Sequence, residues 1–153
     1  MSSFGAEVIW KRSTTEKFTD RRYSRAHVWR FDGGVEVPAS SSPHVVPLPY
    51  SVEENVDPEE AYVAALSSCH MLFFLHFASD SGFVIDQYAD AAIGDMATID
   101  GKSMITNVTL RPKVTYAGDA PTANVEADLH HRAHDACFLA NSVKTEITVA
   151  PVS

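Results

Sequence analysis

Two cysteines stand alone in the chain, Cys69 and Cys137. Each has polar neighbours, and for Cys69 they interrupt an otherwise apolar stretch. Ser67, Ser68 and His70 flank Cys69 in "ALSSCHMLFFLHFA", and Cys137 follows "HHRAHDA". A lone cysteine is often a small core residue, because its thiol packs as a small hydrophobe. Polar groups in a core need partners or a cavity, so this polar turn around Cys69 predicts a lined pocket. Two thiols on two helices suit redox chemistry, in which one is oxidised and the other closes a disulfide with it. Metal binding competes with that reading. His130, His134 and Cys137 fall at i, i+4 and i+7 on one helical face, and with Cys69 they form a Cys2His2 set that zinc accepts. The plain alternative for that face is solvated His and Arg near a helix C-terminus. A Cys69–His70 protease dyad is poorly placed, since neighbouring helical residues point about 100° apart.

The elements that position these residues follow from pattern. "AEVIW", "SRAHVWRF" and "VEVPAS" read as strands, with a hairpin turn at Asp32–Gly34 and an edge position forced by Pro38. Residues 38 to 56 hold four prolines and read as an irregular connection. A helix is predicted from about Pro58 to Ser81. Asp57 is its N-cap, Pro58 its first residue, Glu59 and Glu60 suit its positive end, and Gly82 stops it. Three strand candidates follow: "VIDQYADAAIGDMATIDGK", "SMITNVTLRPKVTYAG" and "KTEITVAPV". Between the last two lies a second helix of about four turns, with Cys137 at or just past its end. The expected order is β-β-β, helix, β-β, helix, β. Turns of hairpin length make the sheets mostly antiparallel and the class α+β.

Composition sets the frame. The 153 residues are about one domain's length, and 45% are hydrophobic, enough for a real core. A net charge of -8 argues against nucleic acid or an anionic membrane as partner. The start has no apolar central stretch, so a cytoplasmic protein is expected, and there two cysteines suit redox work better than a structural staple. Residues 61 to 78 lack formal charge and are long enough to raise the membrane question. Ser67, Ser68, Cys69, His70 and His76 within the run, with acids rather than basic anchors beside it, favour the centre of a soluble fold. Arg21, Arg22, Arg25 and Arg30 are mostly expected on the surface, yet one arginine beside a cysteine would hold it as the reactive thiolate.

The segment "DPEEAYVAALSSCHM" resembles the first cysteine helix of the osmotically inducible protein C and organic hydroperoxide resistance family, the OsmC/Ohr family. "AHDACFLANSVKTEITV" is similar to its second cysteine segment, and "GFVIDQY" and "ITNVTLRPKV" fit as well. The resemblance implies a single OsmC-like domain over residues 1 to 153, with an N-terminal hairpin region to residue 56 and the helix and α+β part from residue 57. It implies an intertwined homodimer with long central helices and sites at the subunit interface. It implies a peroxiredoxin-like thiol peroxidase that reduces organic hydroperoxides in oxidative stress defence, with no bound cofactor and an external dithiol or dihydrolipoyl-type reductant. Cys69 matches the peroxidatic cysteine, Cys137 the resolving one and Glu59 the glutamate that orients an arginine. Arg30 is the nearest match to that arginine and Arg25 the fallback. Leu72, Phe73 and Phe138 are expected to receive an alkyl chain. Three places depart from the family pattern: Phe138 and Ala140 replace a frequent Pro and Ser, and His70 replaces a frequent Phe. A non-enzymatic binding module on the same scaffold, or the zinc protein, are the alternatives. Glu59 and Cys69 lie about 15 Å apart along one helix and about 80° around it. One site that uses both needs a distant turn to bring them together or a second copy to supply one of them; a two-fold dimer with antiparallel central helices does this naturally, and an obligate homodimer is expected.

Overall fold

The computed structural model describes all residues, Met1–Ser153, and divides into two compact units, Met1–Ala61 and Tyr62–Ser153. The N-terminal unit is built on an antiparallel sheet of β1 (Glu7–Ile9), β2 (His27–Arg30) and β3 (Glu36–Ala39), in that order. Val8 faces Trp29, and Trp29 faces Val37. Gly34, at φ +89, makes the turn between β2 and β3. Pro38 sits on the edge strand, where its missing N–H costs no ladder bond. The proline-rich connection is irregular as expected, and it returns to β3 through hydrogen bonds between Val56 and Pro38 and between Ser40 and Val56.

Helix α1 (Pro58–Asp80) starts at the end of this unit and runs on into the second. Its N-cap is the predicted one: Asp57 Oδ1 accepts the Glu60 N–H at 2.8 Å. Gly82, at φ +83, ends it, with Phe83 N–H returning to the Ala78 carbonyl. By length and composition α1 is long and apolar enough to cross a membrane, and only 22% of its apolar window is buried within the chain, less than expected for the centre of a soluble fold.

The strands after α1 correct the expected order. The first two candidates are each two strands: β4 (Val84–Asp90) and β5 (Ile93–Ile99), then β6 (Lys102–Leu110) and β7 (Pro112–Ala117). Together they form one long hairpin, turned at Asp100–Gly101 and kinked at its middle, where Asp90 stands opposite Pro112. Two features make the kink. Pro112 has no N–H to donate. The Asp90 carboxylate takes the Arg111 N–H at 2.6 Å and the Ser67 hydroxyl, while Arg111 Nε donates to Ala91 O at 2.9 Å. The kink splits the hairpin into a β4–β7 pair and a β5–β6–β8 sheet, where β8 (Glu146–Val149) joins β6 in parallel. The sheets are thus mostly antiparallel and the fold α+β.

Each half packs its own core against α1. Phe74 and Ala78 meet Leu129 and Ala133 of α2 (Ala123–Ala136), with Ile85, Tyr88 and Val114 around them. Leu66 meets Val108 and Leu110 of β6, with Ile147 and Val149 of β8. Gly94 marks the closest approach: a Cβ there would lie 2.6 Å from Val63. α2 starts with Thr122 accepting the Val125 N–H at 3.3 Å and ends at Cys137, whose N–H bonds the Ala133 carbonyl.

Candidate functional site

The second unit brings the two cysteines together. Cys69 is half-buried midway along α1, Cys137 is buried at the C-cap of α2, and both are free. The Cys137 thiol is near enough to Cys69 for the two to act on each other. Burial, and then the Cys69 side chain, push the Cys137 thiol up from its ordinary value; the Ala140 N–H, 3.4 Å from its Sγ, acts the other way. Its place beyond the last turn of α2 also opposes negative charge, because the helix carbonyls point at it. The fold thus stores Cys137 as a thiol.

Cys69 borders an open cavity of about 630 Å³ lined by Ala65, Ser68, Leu72, Phe73, His76, Phe138 and Leu139. The lining is apolar apart from Ser68, the thiol and His76, a composition suited to an alkyl or aryl body with one reacting end. Leu72, Phe73 and Phe138, the residues anticipated for an alkyl chain, all border it. Phe138 stands edge-on to Phe73 at 5.0 Å. His76 and Leu139 were not anticipated; His76 lies seven residues after Cys69 on the same helical face, and that spacing was readable.

Not all the polar residues around Cys69 share this cavity, as the sequence suggested. Ser67 turns to Asp90. His70 is buried and bonds His130, Nε2 to Nδ1 at 3.0 Å, with the rings stacked at 5.3 Å and 8°. The 100° step between helical neighbours separates them. Burial lowers both imidazoles to about 4, with His130 and His134 adding to the effect on His70, and Asp90 opposing it for both. Tyr88, half-buried with its hydroxyl enclosed, is pushed upward by burial and then by Asp90.

His130 is thus no solvated residue, in contrast to the plain reading of its helix face; His131, its neighbour, is the exposed one. The Cys2His2 set is not assembled either. No three His, Cys, Asp or Glu side chains gather where they could hold a metal ion.

The remaining candidates belong to the N-terminal unit. Arg30 is exposed, with Nε on Glu36 at 2.8 Å and Nη1 on Glu7 at 3.4 Å. Arg25 is half-buried, donates to the carbonyls of Arg21 and Tyr23, and lies 3.6 Å over the Tyr23 ring. Tyr23 stacks in turn on Phe18, and Trp10 meets both rings. Glu59, in the first turn of α1, has a buried Oε2 without a hydrogen-bond partner.

A family model described as OsmC-like protein matches residues 52–151. A solved structure from Vibrio cholerae O1 biovar eltor, an OsmC-like protein of unknown function, is 52% identical, with a TM-score of 0.97 over 99% of this chain and 100% of that one. Two more distant structures share the fold. An organic hydroperoxide resistance protein OsmC from Legionella pneumophila has 13% identity and a TM-score of 0.71, covering 100% of both chains. The organic hydroperoxide resistance protein OhrB of Bacillus subtilis has 18% identity and a TM-score of 0.68, over 97% of this chain and 98% of its own. No curated protein matches the sequence.

Proposed function

The chain belongs to the OsmC-like family, and from that premise we propose that it is a cytoplasmic thiol peroxidase that reduces organic hydroperoxides to alcohols. The observation that carries this reading is a half-buried Cys69 on the wall of an apolar cavity, with a protonated, buried Cys137 thiol in reach behind it.

The chemistry runs in three steps. The Cys69 thiolate attacks the distal oxygen of R–O–O–H. The O–O bond breaks, the alkoxide takes a proton and leaves as alcohol, and Cys69 becomes a sulfenic acid. Cys137 then attacks that sulfur: the S–S bond forms, the S–O bond breaks, and the oxygen leaves with the thiol proton as water. An external dithiol restores both thiols by two exchanges and is itself oxidised to a disulfide.

Between the two arginines, Arg25 suits the activating role better than Arg30. Its guanidinium is fixed by backbone carbonyls and a ring, whereas Arg30 already pairs with two carboxylates in solvent. Glu59 carries an unused buried acceptor that would orient such an arginine in a bidentate pair. Glu59 and Cys69 stand on one continuous helix, so a shared site takes Glu59 from a second copy. The homodimer is part of the proposal, and the thinly buried α1 supports it.

The test is hydroperoxide consumption with dihydrolipoamide or dithiothreitol by wild type and Cys69→Ser. Loss of roughly a hundredfold or more is expected, together with a Cys69–Cys137 cross-linked peptide after one equivalent of peroxide. Unchanged consumption in Cys69→Ser would end the reading.

A further inference from the structure

Outside the cavity, the most unusual feature of the second unit is the polar contact inside its core. His70 is 1% and His130 3% exposed, and their Nε2–Nδ1 bond is the one direct side-chain hydrogen bond between α1 and α2 apart from the thiol contact. A bond between two imidazoles needs one N–H and one lone pair, so the accepting ring is neutral, and burial disfavours charge on the donating ring as well. Whichever tautomer holds, one ring is left with a bare nitrogen and the other with an N–H. Those two atoms, His70 Nδ1 and His130 Nε2, are buried and have no partner. The pair is therefore a costly way to fill space. An apolar pair of similar volume would pack there at little or no loss in stability.

What the pair adds is direction. The other contacts between α1 and α2 or the residues just after it are mostly apolar: Phe74 stacked on His130 at 4.2 Å, Phe73 against Phe138, and Ala78 with Leu129 and Ala133, with the exposed Arg132 guanidinium over the Phe77 ring at 4.4 Å at the rim. Such surfaces can slide and rotate with small changes in energy, whereas a 3.0 Å hydrogen bond cannot. His70 follows Cys69 directly, and His130 lies two turns before Cys137 on α2. A shift between the helices at the histidines is thus a shift between the sulfurs.

We propose that the His70–His130 bond sets the register of α1 on α2 and makes both histidines positioning residues for closure of the Cys69–Cys137 disulfide. The proposal rests on the disulfide chemistry argued above. Neither ring touches the reacting sulfurs or exchanges a proton with them. The groups that face the pair are His134 on α2, Asp90 on β4 and Phe74 on α1, with Tyr88 of β4 beyond Phe74.

The experiment measures the effective molarity of the two thiols by equilibration with reduced and oxidised glutathione, beside the melting temperature. Three proteins are compared: wild type, His70→Leu/His130→Leu, and His70→Gln/His130→Asn. In the last pair, the Gln Nε2 and Asn Oδ1 occupy the bonded nitrogen positions. The leucine pair should melt close to wild type, while its effective molarity falls by at least about tenfold. The Gln/Asn pair should recover most of that loss. A merely structural role would move stability and effective molarity together. A folded leucine pair with wild-type effective molarity overturns the proposal. If the leucine pair does not fold, 15N NMR of the wild-type imidazoles decides: one protonated and one bare nitrogen must stay bonded in both the dithiol and the disulfide forms, and loss of that bond on closure overturns it. Glutathione equilibration needs no hydroperoxide. A protein that forms the disulfide normally but consumes no peroxide would sink the peroxidase reading and leave the positioning role standing.

Discussion

Along one face of α1, Leu66, His70, Phe74 and Ala78 are buried at successive turns; around the helix from them, Ala65, Ser68, Leu72 and His76 border the open cavity. The usual distribution is partly reversed. The inner face carries an imidazole at its centre, and the outer one carries a leucine that is 60% exposed. Cys69 lies between them. An apolar surface left open on a helix this central needs a partner, whether substrate or a second copy. A polar group placed in the core specifies geometry more than it stabilises. On the proposed function the two faces divide the labour of one thiol: the outer face would meet the peroxide and a partner subunit, and the inner one would hold Cys137 in place.

The largest effect should come from charging the outer face. Leu72→Arg is expected to convert the homodimer to monomer by light scattering and to remove peroxidase activity. A wild-type chain that is already monomeric would break the comparison at once. On the inner face, Phe74→Ala should cost about 3–5 kcal/mol in urea unfolding, as truncation of a fully buried aromatic does. A loss under ~1 kcal/mol would mean that the α1–α2 core is looser than its packing suggests.

The histidine pair gives a pH window with a definite sign. Both imidazoles sit at about 4 in the fold, below the ordinary histidine value of about 6.5. Between those values the unfolded chain binds more protons, so stability falls as pH drops from about 6.5 to about 4. Carboxylates titrate in the same range, so the readout is the difference in melting temperature between wild type and His70→Leu/His130→Leu across that window. A difference that does not grow toward low pH would contradict the neutral, bonded pair.

Much of the fold was legible because single residues fixed it. Asp57, Pro58 and Gly82 marked the ends of α1 to within a residue, and the cysteine segments carried the family resemblance. The kink was not legible. It depends on Asp90 reaching Arg111 and Ser67, contacts across 21 and 23 residues that no local pattern announces. The two halves of each long strand have similar β character, so each read as one. In the site, the cavity-lining Leu72, Phe73 and Phe138 were readable from their apolar character and their nearness to the cysteines. The destination of His130 was not. Its i, i+4, i+7 spacing with His134 and Cys137 fits a metal face, a solvated face and a buried bond equally well, and only the packing of α1 against α2 decides among them.

The smallest expected effect comes from the outer histidine, and it sharpens the comparison most cleanly, because His76 and His70 are the same residue type six positions apart on one helix. His76 pairs with Asp80 at 3.4 Å across one turn, with both side chains more than 60% exposed. An exposed i, i+4 pair of that kind contributes at most about 0.5 kcal/mol, and only while the imidazole is protonated. His76→Ala should therefore leave urea stability at pH 7 within about 0.5 kcal/mol of wild type. His70→Ala, which empties a buried site and strands the His130 nitrogen, should cost several times more. Since His76 borders the cavity and His70 does not, the order should reverse in KM for a bulky aryl hydroperoxide, which His76→Ala alters and His70→Gln leaves alone. Equal stability losses for the two alanine variants would mean that the outer face is covered within a single chain, and the division between the faces of α1 would fall with it.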